Sequence, residues 1–138
     1  MFNRDKVIRL EFAATHQAVR TLSEAIEALL AGTGVAADES YNVQLAAHEV
    51  CTNQVDHAYQ GQDGGSIHAT LTLKKRPRCL VVQLEDEGQP FDPASAAAPN
   101  LDEPQEGGYG LFLAGALMDE VHYERRGETN CWRLVKNW

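Results

Sequence analysis

Three short stretches of the chain carry side chains whose types and spacing suit chemistry. The first is His48-Glu49-Val50-Cys51-Thr52-Asn53-Gln54-Val55-Asp56-His57. At about 100° per residue of helix, Glu49, Asn53 and His57 share one edge, beside an apolar arc of Val43, Ala47, Val50 and Val55. A carboxylate, an amide and an imidazole on one border can move a proton or hold a hard cation, or simply form a solvated helix edge. The zinc-protease pattern H-E-x-x-H is excluded, because Thr52 stands where the second His must be. The second stretch is Glu85-Asp86-Glu87-Gly88-Gln89-Pro90-Phe91, directly after the apolar run Leu80–Leu84. An Asp leaving a strand beside a Gly puts a carboxylate at the sheet rim and a backbone that a planar ligand can approach. Alone, D-x-G is a turn signal. The third is Glu106-Gly107-Gly108-Tyr109-Gly110-Leu111, glycines ahead of a helix, where backbone N–H groups and the helix dipole suit an anion. It is not a Walker loop, and the first strand lacks G-x-G-x-x-G. Each stretch by itself is more often structural. In this order, together, they fit magnesium, a purine and a triphosphate.

The elements that must position these residues are legible from periodicity. Lys6–Ala13 alternates Val7, Arg9 and Glu11 with Ile8, Leu10 and Phe12, the period of a strand with one apolar face. Thr15 is the expected cap of a helix over 16–31, whose apolar residues Val19, Leu22, Ile26, Leu29 and Leu30 recur every three or four positions up to the Gly32-Thr33-Gly34 break. Asp38 is the expected cap of a second helix that runs to about Tyr59 and stops at Gly61. Ser66–Leu73 and Cys79–Glu85 form a hairpin around the charged loop Lys74–Arg78. From 86 to 108 all periodicity is lost, and loops of that length in a compact domain are usually functional. Leu111–Met118 is a short apolar helix, and Glu120–Glu124 and Cys131–Lys136 form a last hairpin. The order β-α-α-β-β-loop-α-β-β predicts an α+β two-layer sandwich, a mostly antiparallel mixed sheet with helices on one face.

The length, 138 residues, suits a single domain. Twelve Lys and Arg against twenty Asp and Glu give a net charge of −8, a field that repels nucleic acid and anionic lipid. The basic run Lys74-Lys75-Arg76-Pro77-Arg78 is expected as a solvated turn. With no signal-peptide core and no uncharged stretch long enough for a bilayer, the expectation is a cytoplasmic protein acting away from membranes and nucleic acid. Cys51, Cys79 and Cys131 are odd in number and widely spaced, which predicts buried thiols rather than disulfides or a zinc site.

The combination of motifs resembles the serine-protein kinases that act as anti-sigma factors in bacterial partner switching, within the ATPase superfamily shared with histidine kinases, gyrase, Hsp90 and MutL. The resemblance runs from Arg9-Leu10-Glu11-Phe12 through Ala47–Tyr59 and Asp86–Pro93 to Gly107-Gly108-Tyr109-Gly110-Leu111 and Leu117-Met118-Asp119-Glu120-Val121. It implies one histidine-kinase-like (Bergerat) ATPase domain over 1–138 with an ATP lid at about 89–108. It implies that Asn53 ligates Mg²⁺ and that Glu49 is the general base toward a protein serine hydroxyl. Asp86 would accept a hydrogen bond from the adenine amino group, Gly88 would leave room for the ring, and Gly108 and Gly110 would let the lid and helix start close over the phosphates. For His57 the resemblance supplies no secure role, and a place in helix packing or behind the residues that touch the ligand is expected rather than catalysis. The implied cofactors are ATP and Mg²⁺. The implied partners are a sigma factor or similar regulator, a small STAS-type antagonist and a second copy of the chain. One departure stands out: members often carry a basic residue before the glycines, whereas here Pro104-Gln105-Glu106 precede Gly107, and 79–124 hold no Lys or Arg. That departure leaves room for a second reading, a regulatory binding module without kinase activity, and a third reading is a structural domain that binds no nucleotide.

Overall fold

A computed structural model describes residues 5–91 and 109–138. Its elements are β1 (Lys6–Ala13), α1 (Arg20–Leu30), α2 (Ala37–Asn53), β2 (Ser66–Lys75), β3 (Arg78–Asp86), α3 (Tyr109–Leu117), β4 (Glu120–Arg126) and β5 (Thr129–Asn137). Between α2 and β2 the helix widens into one π-helical turn, Gln54–Ala58.

The strands form one sheet in the order β1-β2-β3-β5-β4. Each neighbouring pair is antiparallel, so the expected mixed pairing does not occur among the described strands. Connectivity explains this. Two helices between β1 and β2 return the chain reversed, while the single helix between β3 and β4 leaves those two strands running the same way with β5 between them. The two-layer α+β sandwich is otherwise as the periodicity predicts.

The core lies between the sheet and the helices. Leu22, Ile26 and Leu29 of α1 and Val43, Ala47 and Val50 of α2 are buried in one cluster with the alternate residues Ile67, Ala69, Leu71 and Leu73 of β2. Leu80, Val82, Leu84 and Leu134 continue that layer across β3 and β5. The period of two in the strands and of three to four in the helices is thus the imprint of one shared interface. On the other face of the sheet, Cys79, Val81 and Val135 make a small second cluster. All three cysteines are buried and free, as their spacing predicts.

Several boundaries differ from expectation. α1 begins only at Arg20; the Thr15 hydroxyl accepts from the Ala18 N–H at 3.1 Å and so caps an irregular turn ahead of it. Ala36, not Asp38, stands at the start of α2, and the Asp38 carboxylate accepts from the Glu39 N–H at 3.0 Å within the first turn. The β2–β3 hairpin is tighter than the charged loop suggested, since Lys75 pairs with Arg78 and both side chains face solvent. Among the described residues no helix is long and apolar enough to cross a membrane.

Candidate functional site

Glu49 and Asn53 lie half-buried, one turn apart, near the end of α2. Glu49 faces α3. A Cβ built on Gly110 would fall 2.5 Å from Glu49 Oε2 and 3.4 Å from Glu49 Cβ, so the carboxylate rests across the first turn of α3 in space that only glycine leaves free. Two motifs separated by about sixty residues in sequence therefore meet, one from each helix. The last turn of that helix layer then departs from α geometry. The Tyr59 N–H bonds to the Gln54 carbonyl at 3.0 Å, a span of five residues rather than four. The widened turn changes the helix phase between Asn53 and His57, and His57 is exposed. Gln54, the first residue of that turn, is fully buried on the core side.

β3 ends on Asp86, which is 1% exposed. Its Oδ1 accepts from the Gly88 N–H at 2.9 Å and from Asn130 Nδ2 at 2.7 Å, and its Oδ2 accepts from Gln54 Nε2 at 2.7 Å. Gly88 is held just as closely. A Cβ there would sit 2.4 Å from the Ala58 carbonyl oxygen, which already accepts from the Gln89 N–H at 2.7 Å. The room that Gly88 leaves is thus taken by the π-helical turn of the same chain. Gly108 and most of the expected lid, 92–108, lie outside the described residues.

Sequence reasoning missed the residues that fasten this corner. Asn130 sits directly opposite Asp86 in the β3–β5 register. Besides Asp86, its Nδ2 donates to the Gln89 carbonyl at 2.8 Å and, more weakly, to the Gly88 carbonyl at 3.3 Å. Its Oδ1 accepts from the Tyr123 hydroxyl and from Arg125 Nη1 at 3.0 Å. Arg125 Nη1 also donates to the Gly88 carbonyl at 2.9 Å, so the first cation after the Lys- and Arg-free stretch serves the β3 exit rather than the Glu49 end. The start of the long loop is held by packing: Phe91 stacks edge-on against Tyr123 and Trp132, with centroids 5.2 and 4.9 Å away. On the opposite side the Tyr59 hydroxyl donates to the Ser66 carbonyl at 2.7 Å and accepts from the Glu87 N–H at 2.9 Å. For Gln54 a signal existed. It falls four residues after Val50 on the apolar arc, a polar side chain where the pattern asks for an apolar one. Asn130 gave none, because an Asn beside Gly127-Glu128 reads as turn chemistry.

The electrostatics are those of a dry corner holding one anion. Burial pushes the Cys51 thiol up, and the neighbouring Asp86 charge adds to it. Burial likewise raises the Tyr59 hydroxyl, against the bond from the Glu87 N–H. An open recess of about 520 Å³ lies outside this corner, lined by Tyr59, Gly65, Glu87, Gly88 and Arg125 among others, and includes none of Glu49, Asn53 and Asp86. Asn53 offers a single hard oxygen of the kind Mg²⁺ takes alongside water and phosphate oxygens. Among the described residues no group of three or more His, Cys, Asp and Glu is placed to hold a metal alone.

Comparison with known proteins identifies the family of the fold. Residues 12–136 match the model of the histidine kinase-like ATPase domain. The chain is 34% identical over 101 residues to the serine/threonine-protein kinase BtrW of Bordetella bronchiseptica, covering 70% of each. It is 28% identical over 132 residues to the serine-protein kinase RsbW of Bacillus subtilis, covering 90% of this chain and 81% of that one. The crystal structure of the RsbU and RsbW domains of a Mycobacterium tuberculosis protein superposes with a TM-score of 0.65 at 20% identity, over 95% of this chain and 32% of that longer chain. With the fold, the motif order and nearly the full length in agreement, the chain belongs to the histidine kinase-like ATPase domain family.

Proposed function

We propose that this chain is an ATP-dependent serine/threonine-protein kinase and anti-sigma factor of the partner-switching type, which binds a sigma factor or similar regulator and phosphorylates a small STAS-type antagonist. The observation that carries the reading is the meeting of three distant motifs on α2: Glu49 lies against Gly110 of α3, and Gln54, next to Asn53, bonds Asp86 at the end of β3. The names of the similar chains, both protein kinases, favour catalysis over a binding module without it. A protein without a membrane-spanning helix among its described residues, paired with soluble partners, fits a cytoplasmic regulator.

In this reading Asp86 anchors the base and Asn53 holds the metal near the phosphates. Bound Mg²⁺ supplies positive charge that this acidic chain lacks there. Glu49 accepts the proton of the serine hydroxyl as its oxygen attacks the γ-phosphorus; the bond to the β-phosphate oxygen breaks, leaving ADP and phosphoserine. Gly110 matters because it lets that carboxylate lie at the opening turn of α3.

The test is incubation with γ-labelled ATP, Mg²⁺ and the cognate antagonist. The expected product is phosphoserine on the antagonist, lost in Glu49→Gln while nucleotide binding survives. No product from the native chain, or undiminished product from Glu49→Gln, overturns the catalytic reading.

A further inference from the structure

One charged feature of the chain takes no part in the site. The tip of the β2–β3 hairpin reads Lys74-Lys75-Arg76-Pro77-Arg78, and every one of these residues is exposed. A chain with twenty Asp and Glu has carboxylates to spare for such a cluster. None is spent on it: among the described residues no salt bridge includes Lys74, Lys75, Arg76 or Arg78. Two of the cations stand directly against each other, since Lys75 pairs with Arg78 across the strands. Like charges at opposed positions destabilise a hairpin. A connection that only had to meet water would be served by Asn, Asp or Gly without that repulsion. The same end of the sheet gains a further cation from β1, where exposed Lys6 lies opposite Leu73.

We propose that this tip is a docking surface for an acidic segment of a protein partner, whose carboxylates settle between Lys75 and Arg78 and supply the countercharge that the chain itself withholds. An extended polyanion is a poorer fit. Away from the tip acidic residues outnumber basic ones, so a nucleic acid or an anionic bilayer that reached the hairpin would also lie along a repelling surface. A short acidic segment meets the tip alone, and charges further away than about 8 Å are largely screened from it at physiological salt. The tip stands at the start of β3 and Asp86 at its end, nine residues along one strand and about 26 Å apart at 3.3 Å per step. A partner held there leaves the Glu49 end open, and docking requires nothing of the nucleotide site.

The native chain, Lys75→Glu and Arg126→Glu are compared. Binding is read as the fluorescence anisotropy of a short labelled peptide of alternating Glu and Ala, at low and at physiological ionic strength, and thermal melting is read on each free chain. Arg126 ends β4 at the opposite end of the sheet, so its variant makes the same change of net charge away from the tip. Lys75→Glu is expected to melt about 1–4 °C higher than the native chain, because a like pair becomes an opposite one. It is expected to bind the peptide about 2- to 25-fold more weakly, losing one exposed pair and gaining one repulsion at a factor of about 1.5 to 5 each. Native binding weakens with salt, and Arg126→Glu stays within about twofold of native. Peptide binding that is absent from the native chain, unchanged in Lys75→Glu or equally weakened in both variants overturns the proposal. A Lys75→Glu chain that does not melt higher removes the strained pair and overturns it too. Tighter binding of a double-stranded DNA oligonucleotide or of phosphatidylserine vesicles than of the peptide overturns it in favour of another class of polyanion.

Discussion

Asn130 is held in place from both ends of its amide, and that makes it the most informative residue to alter outside the helices. Its nitrogen donates to Asp86 and the Gln89 carbonyl, and its oxygen accepts hydrogen bonds from Tyr123 and Arg125. Truncation leaves a buried carboxylate short of a donor and Arg125 short of an acceptor. Asn130→Ala is therefore expected to lower stability by about 2–3 kcal/mol in urea titration, more than a single neutral hydrogen bond is worth, because one partner is charged. Cys51 makes a prediction about pH. Burial keeps its thiol protonated in the folded chain, with Asp86 reinforcing the effect, whereas an unfolded thiol ionises near pH ~8.5. A raised folded-state value contributes stability that is fully present below the unfolded value and is lost as pH rises. Well above pH ~8.5 this one group should cost about 1.4 kcal/mol per pH unit, and Cys51→Ala should flatten the fall by about 1 kcal/mol between pH ~8.5 and pH ~9.5. Cys131, also raised by burial, supplies a smaller slope that the variant retains.

At the scale of elements, the two glycines at the site make opposite demands. The atoms that crowd a Cβ at Gly88 belong to the Ala58 backbone, at 2.4 and 2.5 Å, and cannot give way without moving the π-helical turn. Gly88→Ala is expected to destabilise the fold by about 1–3 kcal/mol and to shift the melting curve accordingly. At Gly110 the closest atom is the end of the Glu49 side chain, which can swing aside. Gly110→Ala should leave stability within about 1 kcal/mol of native but cut phosphotransfer by about 10- to 100-fold, since the displaced group is the proposed base. A kinase assay beside a urea titration separates the two outcomes. The π-helical turn is also where reading by period failed. A constant 100° per residue turns Gln54 inward after Val50, as found, but the widened turn that follows changes the phase assumed for His57, which is exposed.

For the whole molecule, the net charge of −8 weighs against extended nucleic acid, while one nucleotide would be compatible with it where Mg²⁺ and backbone N–H groups supply a local positive field. Saturating MgATP should raise the melting temperature, with a stabilisation of about 2.7 kcal/mol at a hundred times Kd; an unmoved melting curve would count against a nucleotide site of any kind. The amino-acid sequence by itself determined the strand and helix order, the apolar faces and the buried thiols, because periodicity is a local property; Glu49, Asn53, Asp86, Gly88 and Gly110 came as candidates from the motifs that carry the family resemblance. Tertiary structure decided which partners those residues have. Gln54 reaches Asp86 across 32 positions and Asn130 reaches it across 44, contacts that exist only once the β3–β5 register sets Asp86 opposite Asn130 and the packing of the helices on the sheet lays Gln54 against the end of β3. Register and helix phase are fixed by packing the whole core, so a hydrogen bond that depends on both leaves no mark in the local pattern of either segment.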